Sequence, residues 1–228
     1  MTTTLSAHST ASATLVERNR VLRNTYWLLS LSMIPTVLGA WVGLATGITA
    51  GLTGFMGLVV FLGGAFGFMF AIERTKNSAA GVPVLLAFTF FMGLMLSRLV
   101  GTVLGLSNGA GLVMTAFAGT GGIFLGMAML SSIIKRDLTN MGKFLFIGAI
   151  MLLVAGVANV FLQSGALMIT LAVLAIGIFS AFILYVLKRV KDGHETNYIT
   201  ATLGVYLSLF NVFQSLLMLL GLGGSRDE

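Results

Sequence analysis

Apolar residues run through this chain in seven long blocks, each closed by a short polar or glycine-rich break. The blocks cover residues 25–45, 51–72, 82–105, 110–133, 143–162, 166–187 and 198–221. A helix rises about 1.5 Å per residue, so about 20 residues cross the roughly 30 Å of bilayer hydrocarbon. Every block reaches that length. The pattern predicts an all-α polytopic membrane protein of seven transmembrane helices.

Within the last block the small and polar residues are not scattered. Ala201, Gly204, Ser208, Asn211 and Ser215 recur at helical spacing and share one face. Val205, Leu209, Val212, Phe213 and Leu216 occupy the rest of the surface. A polar stripe turned to lipid is costly, so this face is expected to meet other helices or a hydrated cavity. The last helix is therefore expected at the centre of the bundle.

The connectors alternate in charge. Those around 46–50, 107–109 and 163–165 carry none, whereas Glu73-Arg74-Thr75-Lys76, Lys135-Arg136-Asp137 with Lys143, and Lys188-Arg189 with Lys191-Asp192 are charged. With Arg18, Arg20 and Arg23 they hold all but two of the 13 Lys and Arg; the others are Arg98 and Arg226. Basic loops stay in the cytoplasm. The chain is thus expected in a membrane as a flexible cytoplasmic tail (1–23), a transmembrane domain (24–222) and a short external C-terminal tail (223–228). The basic cluster follows the Ser/Thr/Ala-rich start instead of leading it, so the first span reads as a retained helix rather than a cleaved signal.

Glycine pairs spaced by four, Gly39/Gly43/Gly47/Gly51, Gly63/Gly67, Gly101/Gly105 and Gly122/Gly126, are expected to let helices pack closely within the bundle. Pro35 is expected to kink the first span. Trp27 and Trp41 suit the two membrane interfaces.

Composition agrees: 57% of residues are hydrophobic and 9% charged, against about 25% charged in soluble proteins. The chain has no Cys, which removes thiol catalysis and thiolate metal sites. Its +6 formal charge belongs to cytoplasmic connectors and does not imply nucleic acid. All seven Asp and Glu lie in tails or connectors, so no carboxylate is available inside a span for a proton relay or cation site. Neither His lies in a span, and no Gly-x-Ser-x-Gly element accompanies a base, so the chain is not read as an enzyme and no cofactor is expected. The candidate interior polar positions are Arg98, Asn159, Gln163, Ser208 and Asn211, with Gln214 a further polar residue. Arg98, the sole ionisable residue within a span, has two open readings: snorkelling or pairing with a carbonyl, or a functional site.

Three segments carry a family resemblance. They are Val21-Leu22-Arg23-Asn24-Thr25-Tyr26-Trp27-Leu28-Leu29-Ser30-Leu31-Ser32, Val157-Ala158-Asn159-Val160-Phe161-Leu162-Gln163, and Gly193-His194-Glu195-Thr196-Asn197-Tyr198-Ile199 with Tyr206-Leu207-Ser208-Leu209-Phe210-Asn211. Together they resemble the Bax inhibitor-1 (TMBIM) family in its YccA-like bacterial branch, from about residue 17 to 224. The resemblance implies a seven-helix bundle with the last helix central. It also implies binding and restraint of the membrane-anchored AAA+ quality-control protease FtsH, with its membrane-associated regulators as further partners. Other members are pH-sensitive calcium leaks that use an aspartate pair. By the resemblance those positions fall on Val186 and Ser208, which cannot titrate, so the leak is the disfavoured alternative.

Overall fold

The computed structural model describes residues 2–224, with side chains from Val16 onward. Its helices are α1 (Thr2–Thr46), α2 (Gly54–Thr75), α3 (Gly81–Leu104), α4 (Gly109–Ile133), α5 (Thr139–Leu162), α6 (Gly165–Asp192) and α7 (Tyr198–Gly224), with no strand among the described residues. Each contains a membrane-length apolar span, that of α1 being Val16–Thr46. Hydrocarbon offers the backbone no hydrogen-bond partner, so a crossing segment must satisfy itself as helix.

The helices overrun the predicted apolar blocks, mostly at charged ends. α6 continues through Lys188-Arg189 to Asp192 and stops at Gly193, whose φ is 81°. A Cβ there would also lie 2.7 Å from Arg18 Nε, so conformation and space both call for glycine. α1 continues upstream to Thr2, across the segment expected as a flexible tail. Once the span is helical, each added residue gains a hydrogen bond without a new nucleus. At the other terminus α7 takes in Gly223 and Gly224, and residues 225–228 of the expected external tail lie outside the described residues.

The connectors sort by charge to opposite ends of the bundle. At the charged end Asn197 Nδ2 donates to the Lys76 carbonyl at 3.1 Å and to Asn77 Oδ1 at 2.9 Å. Its Oδ1 accepts from the amides of Ile199 and Thr200, capping α7. Lys191 Nζ reaches the last turn of α4, donating to the Ala128 carbonyl at 3.2 Å and to Ser131 Oγ at 2.7 Å. In the α4–α5 connector, hydrogen bonds from the Thr139 hydroxyl and amide hold the Asp137 carboxyl below its ordinary pKa.

α7 packs against α1, α3, α4 and α6, while α2 packs on α3 and α5. Both faces of α7 are occupied: Ala201, Ser208 and Ser215 of the polar stripe are buried, and so are Val205, Leu209 and Val212. The main core gathers Leu28, Ile72, Phe88, Met92, Leu187 and Tyr206 from α1, α2, α3, α6 and α7. Trp27 and Trp41 are largely exposed on the lipid side.

The close glycine contact joins α1 to α3. A Cβ on Gly39 would sit 2.1 Å from the Phe90 carbonyl oxygen, and one on Gly93 2.0 Å from that of Thr36. Gly43 joins the same contact against Ser97, and Gly101 of α3 lies against Leu44 of α1, whereas the remaining expected faces differ. Gly63, Gly67, Gly122 and Gly126 meet nothing within 4 Å, as do Gly47 and Gly51 outside the helix. A four-residue spacing places glycines on one face but does not say which face turns inward.

Candidate functional site

The α6–α7 interface brings two of the candidate positions close together. Gly204 lies against Val186, and one turn further along α7 the buried Ser208 hydroxyl donates to the Gly204 carbonyl at 2.8 Å. Asn211 Nδ2 donates to the Leu207 carbonyl at 2.8 Å, again within α7. Both side chains bond to their own helix. The carbonyl four residues back is always within reach of a short polar side chain.

Tyr206 supplies the interhelical bond at this level. Its hydroxyl pairs with Thr36 Oγ1 of α1 at 2.9 Å and approaches the Thr89 carbonyl of α3 at 3.4 Å. Its ring is buried edge-on to Phe88, with centroids 6.0 Å apart. Sequence reasoning passed over Tyr206 as a site residue. The signal was a phenol two turns into an uncharged span, where its hydroxyl needs a partner.

Asn159 is half-buried and Gln163 lies at the surface. Gln163 is exposed and ends α5 with a φ of 49°, its amide donating to the Asn159 carbonyl at 2.8 Å. Asn159 Oδ1 accepts from the Ser164 amide at 3.0 Å. The pair closes the turn into α6, a short-range role that a residue's position near a predicted span end leaves ambiguous.

Arg98 occupies a different place again. It lies six residues before the end of α3, about 9 Å along the helix from the uncharged end. Its Nη1 donates to the Leu52 carbonyl in the α1–α2 connector. The neighbouring Ser97, buried, shares a 2.8 Å hydrogen bond with Thr49 of that connector. These two adjacent residues pin the uncharged connector onto α3. Beside them opens a cavity of about 420 Å³, walled by α2, α3, α7 and the end of α5. Arg98, Thr102 and Gln214 contribute its polar groups, and Phe61, Leu96 and Phe210 line it with apolar surface. The structure thus places Arg98 and Gln214 on one cavity, apart from Val186 and Ser208 at the α6–α7 interface. No three His, Asp or Glu side chains converge on a metal site among the described residues.

Comparison with known proteins sets this geometry in a lineage. The family described as "Inhibitor of apoptosis-promoting Bax1" matches residues 18–226. The chain belongs to the Bax inhibitor-1 family. It is 36% identical to the Escherichia coli K12 protein named "Modulator of FtsH protease YccA", over 97% of both chains. It is also 37% identical to a protein of Neisseria meningitidis serogroup A, over 92% of this chain and 94% of that one. A Vibrio cholerae membrane protein is 34% identical over 93% of each chain. The family match runs from residue 18 to 226, so the Val186–Gly204 contact and the Arg98 cavity belong to a Bax inhibitor-1 bundle.

Proposed function

We propose that this protein sits in the inner membrane and binds and restrains a membrane-anchored AAA+ protease of the FtsH type. The carrying observation is end-to-end similarity, 36% identity over 97% of both chains, to a relative named as a modulator of that protease. The charge pattern supports an orientation with the N-terminus and the charged connectors in the cytoplasm and the C-terminus outside.

In this reading residues 1–23 form a cytoplasmic handle. The segment is polar and rich in Ser, Thr and Ala at its start, and an AAA+ machine needs an end it can draw out. The bundle behind it resists extraction through the α1–α3 glycine contact and the Tyr206 hydrogen bonds. The protease would thereby be occupied without its cargo being destroyed. Val186 and Ser208 offer no titratable pair for a calcium leak, which supports the regulator over the channel.

The test is co-purification from mild detergent, combined with the half-lives of known substrates of the protease. Capture of the protease and shortened half-lives on deleting the gene are expected. Absence of the protease from the complex, with unchanged half-lives, removes the proposal.

A further inference from the structure

We propose that the cavity at the uncharged end binds one anionic phospholipid of the adjoining bilayer leaflet, its headgroup on Arg98 and an acyl segment in the apolar depth. Three observations lead there.

The first is how α2 and α5 are packed. Their buried residues, Ala65 and Ile72 on α2 and Gly142 and Leu145 on α5, all lie in the half of each helix nearer the charged end. Towards the uncharged end neither helix has a buried residue, and the cavity lies between α2, α3 and α7 with Val160 of α5 at its edge. Phe55 and Phe161, both largely exposed, face each other near this end with ring centroids 6.2 Å apart, outside the cavity lining. The lining runs from Thr49 and Leu52 of the connector to Phe61 and Leu96 within the apolar spans, so the cavity covers both headgroup and hydrocarbon depths.

The second is the lining. The roughly 420 Å³ cavity falls within the range of about 300–1,000 Å³ usual for ligand clefts. Its apolar wall includes Phe61, Leu96 and Phe210, which suit methylene groups and leave a small hydrated anion without partners. Gln214, exposed and on the cavity wall, carries an amide that can bond to an ester or glycerol oxygen.

The third is charge. Arg98 is the only ionisable side chain at this end among the described residues; the described carboxylates, Glu17, Glu73, Asp137, Asp192 and Glu195, lie at the other. One guanidinium N–H is engaged by the Leu52 carbonyl, and the remaining donors are available for the planar, two-pronged recognition of a phosphate. A cation would be repelled, and a zwitterionic headgroup would bring its own positive charge beside the arginine.

The test is native mass spectrometry of the full chain released from nanodiscs containing phosphatidylglycerol and phosphatidylcholine in equal amounts. One phosphatidylglycerol retained per chain is expected. Retention should fall at least about tenfold in Arg98→Gln, the scale of a lost charged hydrogen-bond pair, and in Leu58→Trp, which fills the cavity while keeping the arginine. Arg23→Gln at the opposite end should leave it unchanged. A Phe61→Trp reporter in a chain otherwise freed of tryptophan by Trp27→Phe and Trp41→Phe should be quenched saturably by brominated phosphatidylglycerol well beyond its quenching by brominated phosphatidylcholine, a readout independent of how the arginine variant folds. Equal retention of the two lipids overturns the proposal. So does displacement by millimolar inorganic phosphate, which would make this a free-anion site. Retention that appears only after removal of residues 225–228 would assign Arg98 to the chain's own acidic end, and also overturns it.

Discussion

Val186 of α6 stands against Gly204 of α7, so near that a Cβ on the glycine would meet Val186 Cγ2 at 3.2 Å. Ser208 follows one turn along, with its hydroxyl committed to the Gly204 carbonyl. This contact is dry of charge and built by small and branched side chains. Replacing Val186 by Asp places a carboxylate in it, at a cost expected below the ~2.5–3.5 kcal/mol of an Asp at the centre of a span, since Val186 is half-buried and stands two residues before Lys188. The loss is expected to be larger at neutral pH, where the group must ionise, than at acidic pH. Unfolding in mixed detergent across pH measures it. In dye-loaded liposomes the native chain is expected to pass no calcium in a pH-dependent way, since neither position titrates.

Tyr206 ties three helices through one hydroxyl. Tyr206→Phe removes the bonds to Thr36 and the Thr89 carbonyl but keeps the ring, and is expected to cost about 0.5–1.5 kcal/mol. Tyr206→Ala also empties a fully buried volume and should cost about 3–5 kcal/mol. Equilibrium unfolding of the two variants separates hydrogen bond from packing.

Asn197 performs two tasks with one amide group. Asn197→Ala loses the α7 cap and the tie to the α2–α3 connector, for an expected cost of about 1–2 kcal/mol. Asn197→Asp keeps an acceptor for the Ile199 and Thr200 amides and loses both donations. Hydrogen exchange should therefore speed up at residues 199 and 200 in the alanine variant alone, and around Asn77 in both.

The glycines divide into two sets with opposite expectations. Gly93→Ala drives a methyl into the Thr36 carbonyl and should cost about 1–3 kcal/mol by forcing α1 from α3. Gly126→Ala meets open space and should change stability by no more than about 0.5 kcal/mol. Thermal unfolding in one detergent compares them.

Much of the architecture was legible in the apolar pattern, because a bilayer admits little besides long self-satisfied helices. Seven spans fell within a few residues of their predicted bounds, apart from the upstream run of α1. The ends were less legible where they depend on local geometry. Gln163 ends α5 in a left-handed conformation, which its identity does not announce. Asn159 looks the same in sequence whether it bonds across helices or, as here, to the next turn.

The chain's order of residues determined the spans, the sorting of charge to one end, the polar stripe of α7 and the lack of a carboxylate at Val186 and Ser208. These follow from hydrophobicity and helical period, which are local properties of a segment in lipid. Tertiary structure alone decided which glycines are pressed against a neighbour, that Tyr206 joins α1, α3 and α7, and that Arg98 borders a cavity shared with Gln214. Those relations join residues as far apart as Thr36 and Tyr206, and they arise from how helices rotate and tilt against one another. Several rotations bury similar apolar area, and only the packing of the whole bundle selects among them.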